Sequence, residues 1–253
     1  QSLSSAASDV YKRQKLDILA IGAHPDDVEL GCSGTLAKEI HQGKSVGILD
    51  LTRGELGTRG SADIRDKESL LASKILNIKV RENLSFADGF FANDKSHQLE
   101  IIKIIRKYKP EVVFCNAIDD RHIDHPKASE LVSSSCFLSG LVKIETKLKD
   151  STILQEAWRP KSIYHYIQWK NINPDVCVDI SDFISVKINA VKAYSSQFYK
   201  KGDNSKSTPI STQNFIDSIE YRAKDLGRLC GVAYAEGFTV ERAPLINSVF
   251  DLK

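Results

Sequence analysis

Short apolar runs alternate with segments of helical periodicity along the first 140 residues of the chain. Runs bounded by turn-forming residues predict strands at 16–23, 45–52 and 111–116, the first and last of them buried, and residues 80–86 predict a weaker strand. Between them apolar residues recur at helical spacing, most clearly at 96–109, where Pro110 ends the pattern. This alternation is typical of an α/β protein with a doubly wound, Rossmann-like, mostly parallel sheet and helices on both faces.

The second half of the chain carries weaker signals. We predict strands at 161–168 and 175–180, helices at 183–195 and 215–230, and a final extended segment at 237–248. The segment 141–157 is ambiguous. No repeat or low-complexity linker divides the chain, so we expect residues 15–253 to form a single domain. Residues 1–14 are rich in Ser and Ala and lack an apolar core, and we expect a non-native or disordered leader there.

The predicted topology directs attention to two loops. In a doubly wound sheet, ligands bind beyond the carboxyl ends of the strands where the strand order reverses. In the common order this crevice lies between the first and fourth strands. The loop after the first strand is Gly22-Ala23-His24-Pro25-Asp26-Asp27-Val28-Glu29, and the loop after the fourth contains Asp119-Asp120-Arg121-His122-Ile123-Asp124-His125-Pro126. Both are rich in metal-binding and titratable groups.

Two imidazoles and one carboxylate, with a position left for water, suit a catalytic zinc ion and equally a non-haem iron. His24 and Asp27 are three residues apart at a strand-to-helix turn, close enough to share one ion. One histidine of the second loop would complete the set. The alternative is structural: paired aspartates at a helix start are common caps, and a loop histidine is often a hydrogen-bonded surface residue. The position of both loops at one crevice favours the metal site.

The composition narrows the range of functions. The 253 residues include 42% hydrophobic and 27% charged residues, with a formal net charge of +2, which excludes a mainly disordered chain. It also gives no reason to expect nucleic acid or membrane partners. No apolar stretch approaches the roughly 18 residues that a membrane span needs. The five cysteines include no C-x-x-C pair, so we expect free thiols and a cytoplasmic protein.

These loops resemble those of a known family. Ala23-His24-Pro25-Asp26-Asp27-x-Glu29, followed about a hundred residues later by His122-x-Asp124-His125, resembles the LmbE/PIG-L family of zinc-dependent N-deacetylases. Thr52-Arg53-Gly54-Glu55 looks like that family's loop after the second strand. Two later segments look like the branch that deacetylates N-acetylglucosaminyl-malate in bacillithiol synthesis: Tyr194-x-Ser196-Gln197-Phe198 and Tyr234-Ala235-Glu236-Gly237-Phe238.

The resemblance implies a role for each matching residue. The metal ligands would be His24, Asp27 and His125, binding Zn²⁺ or, as the native metal, Fe²⁺. Asp26 would be the general base. His122 would face the developing oxyanion as a charged donor or act as general acid, and Asp124 would orient His122 and hold its charge. The implied substrate contacts are Arg53, Asp88 and Tyr194. Arg59 and Arg121 either add positive potential near the site or are solvated surface residues.

The resemblance also implies an N-acetyl sugar conjugate as small-molecule substrate and a homo-oligomer. Two other hypotheses stay open. One keeps the fold and metal but changes the substrate to a chitobiose-type N-acetyl sugar. The other is a non-catalytic module that binds a metal or nucleotide. The first loop lacks G-x-G-x-x-G and G-x-x-x-x-G-K-[ST], which counts against phosphate binding by such a module.

Overall fold

The predicted strands lie side by side in one seven-stranded sheet. The computed structural model describes residues 15–148, 151–199, 201–202 and 206–251, so the predicted leader at 1–14 lies outside the described residues. The strands are β1 (Ile18–Gly22), β2 (Val46–Thr52), β3 (Val80–Phe86), β4 (Val112–Cys115), β5 (Ser162–Tyr166), β6 (Val176–Asp179) and β7 (Ala235–Val240).

The sheet has the order β3-β2-β1-β4-β5-β7-β6. The first five strands in chain order pair in parallel, and β7 runs antiparallel to both β5 and β6. Strand order therefore reverses between β1 and β4, where Ile18 pairs with Val112 and Ala20 with Phe114. The prediction of a doubly wound, mostly parallel sheet with its switch point at this pair is confirmed.

Helices cover both faces of the sheet. They are α1 (Asp27–His41), α2 (Ala62–Leu76), α3 (Lys95–Tyr108), α4 (Asp124–Ser139), α5 (Ile184–Lys192) and α6 (Gln213–Cys230). Alternate residues of β1 point to opposite faces: Leu19 and Ile21 pack with α3 and α4, whereas Ile18 and Ala20 pack with α1. A parallel strand buried on both faces needs apolar residues throughout, which explains the unbroken apolar runs.

Two segments had weak sequence signals, the ambiguous one at 141–157 and the final extended one at 237–248. The ambiguous segment forms neither a regular helix nor a paired strand within its described residues, apart from one bridge between Lys147 and Leu154. Buried Arg106 holds its beginning by donating to the carbonyls of Ser139 and Leu141. The final strand is shorter than expected and ends at Val240. Among the helices of the described residues, none is long and apolar enough to cross a bilayer.

Candidate active site

The two predicted loops meet at the carboxyl ends of β1 and β4. Asn116, directly after β4, ties them together: its side-chain oxygen accepts the amide of Ala23 at 2.9 Å, and its side-chain nitrogen donates to Asp27 at 3.0 Å. Gln168, just after β5, donates to the other oxygen of Asp27 at 2.9 Å. The carboxyl ends of three neighbouring strands thus hold the Asp27 carboxylate in one orientation.

Asp27 lies between two imidazoles. One carboxylate oxygen is 3.1 Å from Nε2 of His125, and the other is 3.5 Å from Nδ1 of His24. That second oxygen also accepts the backbone amide of His24 at 2.9 Å, which closes the turn between β1 and α1. All three residues are buried. The structure therefore brings together the three residues that the sequence resemblance implies as metal ligands.

Further potential ligands surround His24. Its Nε2 lies 3.0 Å from an oxygen of Asp88 and 3.3 Å from an oxygen of Asp124. Potential ligand atoms lie within 4.8 Å of one another in two groups, His24 with His122 and His125, and His24 with Asp88 and Asp124. The protein thus provides a His/Asp cluster at the switch point, with more donors than the predicted triad.

The neighbouring imidazoles and carboxylates shift one another's pKa values. Burial disfavours the charged imidazole of His24, but hydrogen bonds that it donates to Asp124, Asp27 and Asp88 raise its pKa well above the ordinary value. Burial likewise opposes charge on His125, while Asp27 and Asp120 raise its pKa to about 9. The pKa of Asp27 is held well below its ordinary value, against the effect of burial, chiefly by His125.

The chemistry of this donor set fits a divalent cation. Nitrogen and carboxylate oxygen are the ligands that both zinc and ferrous iron accept. Three buried carboxylates around His24 require nearby positive charge, because isolated buried anions are very costly. Protonated imidazoles can provide that charge, and a divalent cation held by the same groups would provide it instead.

Asp26 has an unusual backbone conformation. It precedes α1 with φ of 113° and ψ of −22°, in the left-handed region that residues other than glycine rarely adopt. Its carboxylate lies 2.8 Å from Nη2 of buried Arg65, on α2, and the same guanidinium donates to the carbonyl of Pro25. Burial raises the pKa of Asp26 to about 7, although Arg65 opposes the shift. Strain at such a residue is typical of functional sites.

The expected pairing of Asp124 with His122 is not formed. The Asp124 carboxylate contacts His24, Lys127 and the amide of Gly89, because Gly89 brings the loop after β3 against it. His122 instead accepts the backbone amide of Asp124 on Nδ1 at 3.3 Å. Burial and the charged neighbours His24 and His125 lower the pKa of His122. A neutral His122 with Nδ1 accepting carries its proton on Nε2, where it can donate.

The three predicted substrate contacts occupy different environments. Asp88 lines the cleft, with one oxygen toward His24 and the other accepting the amide of Leu56 at 3.0 Å. Arg53 pairs with Asp63 and Asp66 on α2. Tyr194 is fully buried and donates to Glu29 at 3.0 Å. Among the described residues that line the cleft, Arg53 and Tyr194 are absent, so neither is placed to touch a substrate in this conformation.

Sequence reasoning missed several residues that shape the site. Asn116 and Gln168 directly follow strands at the switch point, and that position was a usable signal. Asp120 accepts from Nδ1 of His125 at 2.7 Å, which fixes the ring of a predicted ligand in the manner typical of metal sites. Arg65 lies within a helix about forty residues from Asp26, and nothing in its local sequence indicated the contact.

The cluster opens into a cleft of about 600 Å³. The acidic and imidazole groups form one end. The loop after β5 and residues of α6 also line the cleft, including Phe215, Ile219 and Arg222. This volume is within the range of small-molecule sites.

Comparisons with known proteins agree with this geometry. A family model described as PIG-L, GlcNAc-PI de-N-acetylase, matches residues 19–136. Diacetylchitobiose deacetylase of Thermococcus kodakarensis is 30% identical over 191 residues, which cover 72% of this chain and 70% of that protein. The crystal structure of a conserved protein from Thermus thermophilus aligns with a TM-score of 0.80 and 35% identity, covering 92% of this chain and 98% of that one.

The structure of N,N′-diacetylchitobiose deacetylase from Pyrococcus horikoshii, complexed with an inhibitor, aligns with a TM-score of 0.74 over 100% of this chain and 98% of that one. Its identity of 24% shows a shared fold. The Thermococcus relative, by contrast, is similar enough in sequence over enough of its length to show common family membership. The chain belongs to the PIG-L family of deacetylases.

Proposed function

We propose that this protein is a zinc-dependent N-deacetylase that removes the acetyl group from an N-acetylglucosaminyl conjugate. The expected substrate is N-acetyl-glucosaminyl-L-malate, an intermediate of bacillithiol synthesis. The observation that supports this most is the meeting of His24, Asp27 and His125 at the switch point, with Asp26 directly beside them. Family membership supports the reaction type, and the segments around Tyr194 and Tyr234 support the malate branch by resemblance.

In the proposed site, His24, Asp27 and His125 hold the ion, with Zn²⁺ as the expected metal and Fe²⁺ as the native alternative. When bound there, a divalent cation supplies Lewis-acid chemistry, which polarises an amide carbonyl and makes water easier to deprotonate. Asn116, Gln168 and Asp120 keep the ligands in place through the hydrogen bonds described above. Such outer contacts usually affect metal affinity by about 10- to 100-fold.

Residues of the chain provide the proton transfers that hydrolysis of an amide needs. Asp26 takes a proton from the attacking water as the oxygen bonds to the acetyl carbon. It then passes that proton to the amine nitrogen as the C–N bond breaks, which leaves acetate and a free amine. The Nε2 proton of His122 stabilises the negative charge that develops on the carbonyl oxygen. Asp124 positions His24 and Gly89, while Asp88 is placed to accept a hydrogen bond from a sugar hydroxyl.

A chitobiose-type substrate is the second candidate, favoured by the similarity to the Thermococcus deacetylase. The decisive assay measures acetate release from N-acetyl-glucosaminyl-L-malate, diacetylchitobiose and free N-acetylglucosamine, after the protein is loaded with zinc or with ferrous iron under argon. We expect the highest kcat/KM for the malate conjugate. A preference for diacetylchitobiose would support the second candidate, and no release from any N-acetyl sugar with either metal would refute the proposal.

The proposal extends to cellular context. All five cysteines are free thiols, as expected for a cytoplasmic protein. Self-association follows from the family resemblance, and light scattering on the purified chain would test it: a mass of one chain, 28.2 kDa, would contradict it.

A further inference from the structure

Trp169 forms a wall of the cleft beside the His/Asp cluster. It follows Gln168, whose side chain holds Asp27, and its own side chain is about one-third exposed. Its backbone amide is bonded to Asp120, the same carboxylate that accepts from His125. This tryptophan is therefore fixed relative to the proposed metal ligands.

Two arginines are anchored on this tryptophan. The guanidinium carbon of Arg121 lies 4.5 Å from the centre of the Trp169 ring. Arg222, on α6, donates from Nη2 to the Trp169 carbonyl at 3.0 Å. Both arginines line the cleft together with His122 and His125. They come from opposite sides, one from the loop after β4 and one from α6.

Neither guanidinium has a carboxylate partner within 4.0 Å among the described residues. Arg222 is half-buried, and its Trp169 contact uses one of five N–H donors. Burial lowers the pKa of Arg222, and the nearby carboxylate of Asp120 counteracts this, although its oxygens already bind His125 and the amide of Arg121. The positive charges of Arg121 and Arg222 are thus not neutralised by direct contact with a carboxylate of the described residues.

Three other arginines with buried side chains have partners within the protein. Arg65 contacts Asp26, Arg81 contacts both Asp50 and Glu29, and Arg106 is surrounded by carbonyl oxygens. Arg53, one of the substrate contacts that the sequence resemblance implies, is already paired with two aspartates. The arginine pair on Trp169 is therefore the better placed to receive an anion inside the cleft.

We propose that Arg121 and Arg222, held by Trp169, form a subsite for an anionic group on the aglycone of the substrate. This deepens the proposed function and rests on it, because the sugar amide would lie at the His/Asp end of the same cleft. The planar fork of an arginine suits a carboxylate or a phosphate, and stacking on an aromatic ring limits the freedom of the fork. The subsite would make acidic conjugates better substrates than neutral ones.

The test compares acidic and neutral substrates in matched variants. Arg121→Gln, Arg222→Gln and the double variant remove the charges. Arg159→Gln is the control, because Arg159 also stacks on a ring, Phe137 at 4.3 Å, and donates to a carbonyl, Phe137 at 2.9 Å, but lies outside the cleft. The substrates are the malate conjugate, N-acetylglucosamine 1-phosphate and the neutral methyl N-acetylglucosaminide.

We expect each cleft variant to lower kcat/KM for the acidic substrates by about 10- to 100-fold, with less than about 3-fold change for the neutral one. The control should change neither. The relative losses on the malate conjugate and the phosphate distinguish a carboxylate subsite from a phosphate subsite. Equal losses on acidic and neutral substrates, or no loss on either acidic one, would overturn the subsite while leaving the deacetylase assignment intact.

A binding measurement separates this proposal from the deacetylase assignment. Calorimetry with free L-malate and with inorganic phosphate needs no turnover, so it remains informative if no sugar is hydrolysed. Wild type and Arg159→Gln should bind at least one of these anions with the same Kd, and the double variant should bind it at least about tenfold more weakly. Equal Kd values in all three proteins, or no binding to wild type, would contradict the subsite. Thermal unfolding verifies that the variants are folded.

Discussion

Two groups of buried charges line the same cleft and differ in how fully their hydrogen-bonding capacity is used. Lys187 and Glu236 form a closed pair. The three donors of Lys187 contact Glu236 and the carbonyls of Glu29 and Leu30, and Glu236 also accepts the amides of Gly34 and Thr35. This pair thus binds the backbone of α1, and all three N–H donors of Lys187 are used.

The group at the switch point is different. It contains five buried carboxylates, those of Asp26, Asp27, Asp88, Asp120 and Asp124. Around them lie the positive side chains of Arg65 and Lys127 and three imidazoles. The pKa of Asp26 is raised and those of His24 and His125 are raised, so charge here depends on protons or on a cation. Burial of charge does not by itself identify a functional site; buried carboxylates beside a cleft whose charge depends on protons or on a cation are typical of one.

The largest effect is expected at Asp26. Asp26→Asn should lower kcat by about 10²- to 10⁴-fold, because it removes the proton acceptor. Folding and metal content should be preserved, since Asn tolerates a positive φ. Acetate release and metal content of the purified variant measure this. The control is Asp119→Asn, an exposed aspartate in the loop after β4 that pairs with Lys170. A variant at Asp26 with wild-type kcat would exclude its role as base.

Breaking the pair of Lys187 and Glu236 should lower the free energy of unfolding. Lys187→Met leaves Glu236 buried and without its cation, which should cost about 3–5 kcal/mol in the free energy of unfolding, measured with urea. Lys38→Met is the control: Lys38 also donates to a carbonyl, that of Asp179, but it is not buried, so a loss below about 1 kcal/mol is expected. Equal losses in the two variants would show that the buried pair is not the stabilising element described here.

Substitutions at two separate glycines test whether Arg65 positions Asp26 in the group at the switch point. Gly54 has φ of +63°, and a β-carbon there would lie 2.0 Å from Nη1 of Arg65. Gly43 has φ of +87° with nothing within 4 Å. Both changes to Ala should cost about 1–2 kcal/mol of stability for the backbone conformation. Only Gly54→Ala should also displace Arg65 from Asp26 and lower kcat, by about tenfold or more. The same kcat in both variants would contradict this positioning.

The smallest effect concerns an acid outside both groups. Asp17 accepts the amide and hydroxyl of Ser45, and the amide hydrogen bond lowers its pKa, against a partial effect of burial. Its folded-state pKa lies below the unfolded value of about 3.9. The stabilisation is therefore present above that pH and is lost as the pH falls through the folded pKa. Asp17→Asn should destabilise by less than about 1 kcal/mol at pH 7. The difference from wild type should shrink at pH 3; a constant difference would refute the linkage.

The fold was predictable because local patterns decide it. Short unbroken apolar runs that alternate with helical segments are typical of strands buried between two layers, and the connections between parallel strands then fix the switch point. The cluster of histidines and aspartates was predictable for the same reason, since both loops follow strands that meet there. The sequence resemblance added roles to these residues, and the placement of His24, Asp26, Asp27, His125 and Asp88 in one cleft agrees with it.

Contacts between distant residues could not be predicted. Arg53 turns to Asp63 and Asp66, because the following helix places two carboxylates within its reach. Tyr194 is buried and does not line the cleft, because its hydroxyl donates to Glu29, a buried residue of α1. The Asp124 carboxylate accepts the amide of Gly89 and contacts His24 rather than pairing with His122. Gly89 belongs to a loop more than thirty residues away in the sequence. Periodicity contains no information on such pairings.

The most direct test of the account is the metal content of the protein and of its ligand variants. Elemental analysis of wild type purified under argon should find about one equivalent of zinc or iron per chain. His24→Ala, Asp27→Ala and His125→Ala should each lose most of it and all acetate release, whereas Lys187→Met, where it folds, should retain it. Wild type that binds neither metal after reloading, or a variant of any of the three ligands that keeps a full equivalent, would contradict the central claim that these side chains hold one catalytic ion.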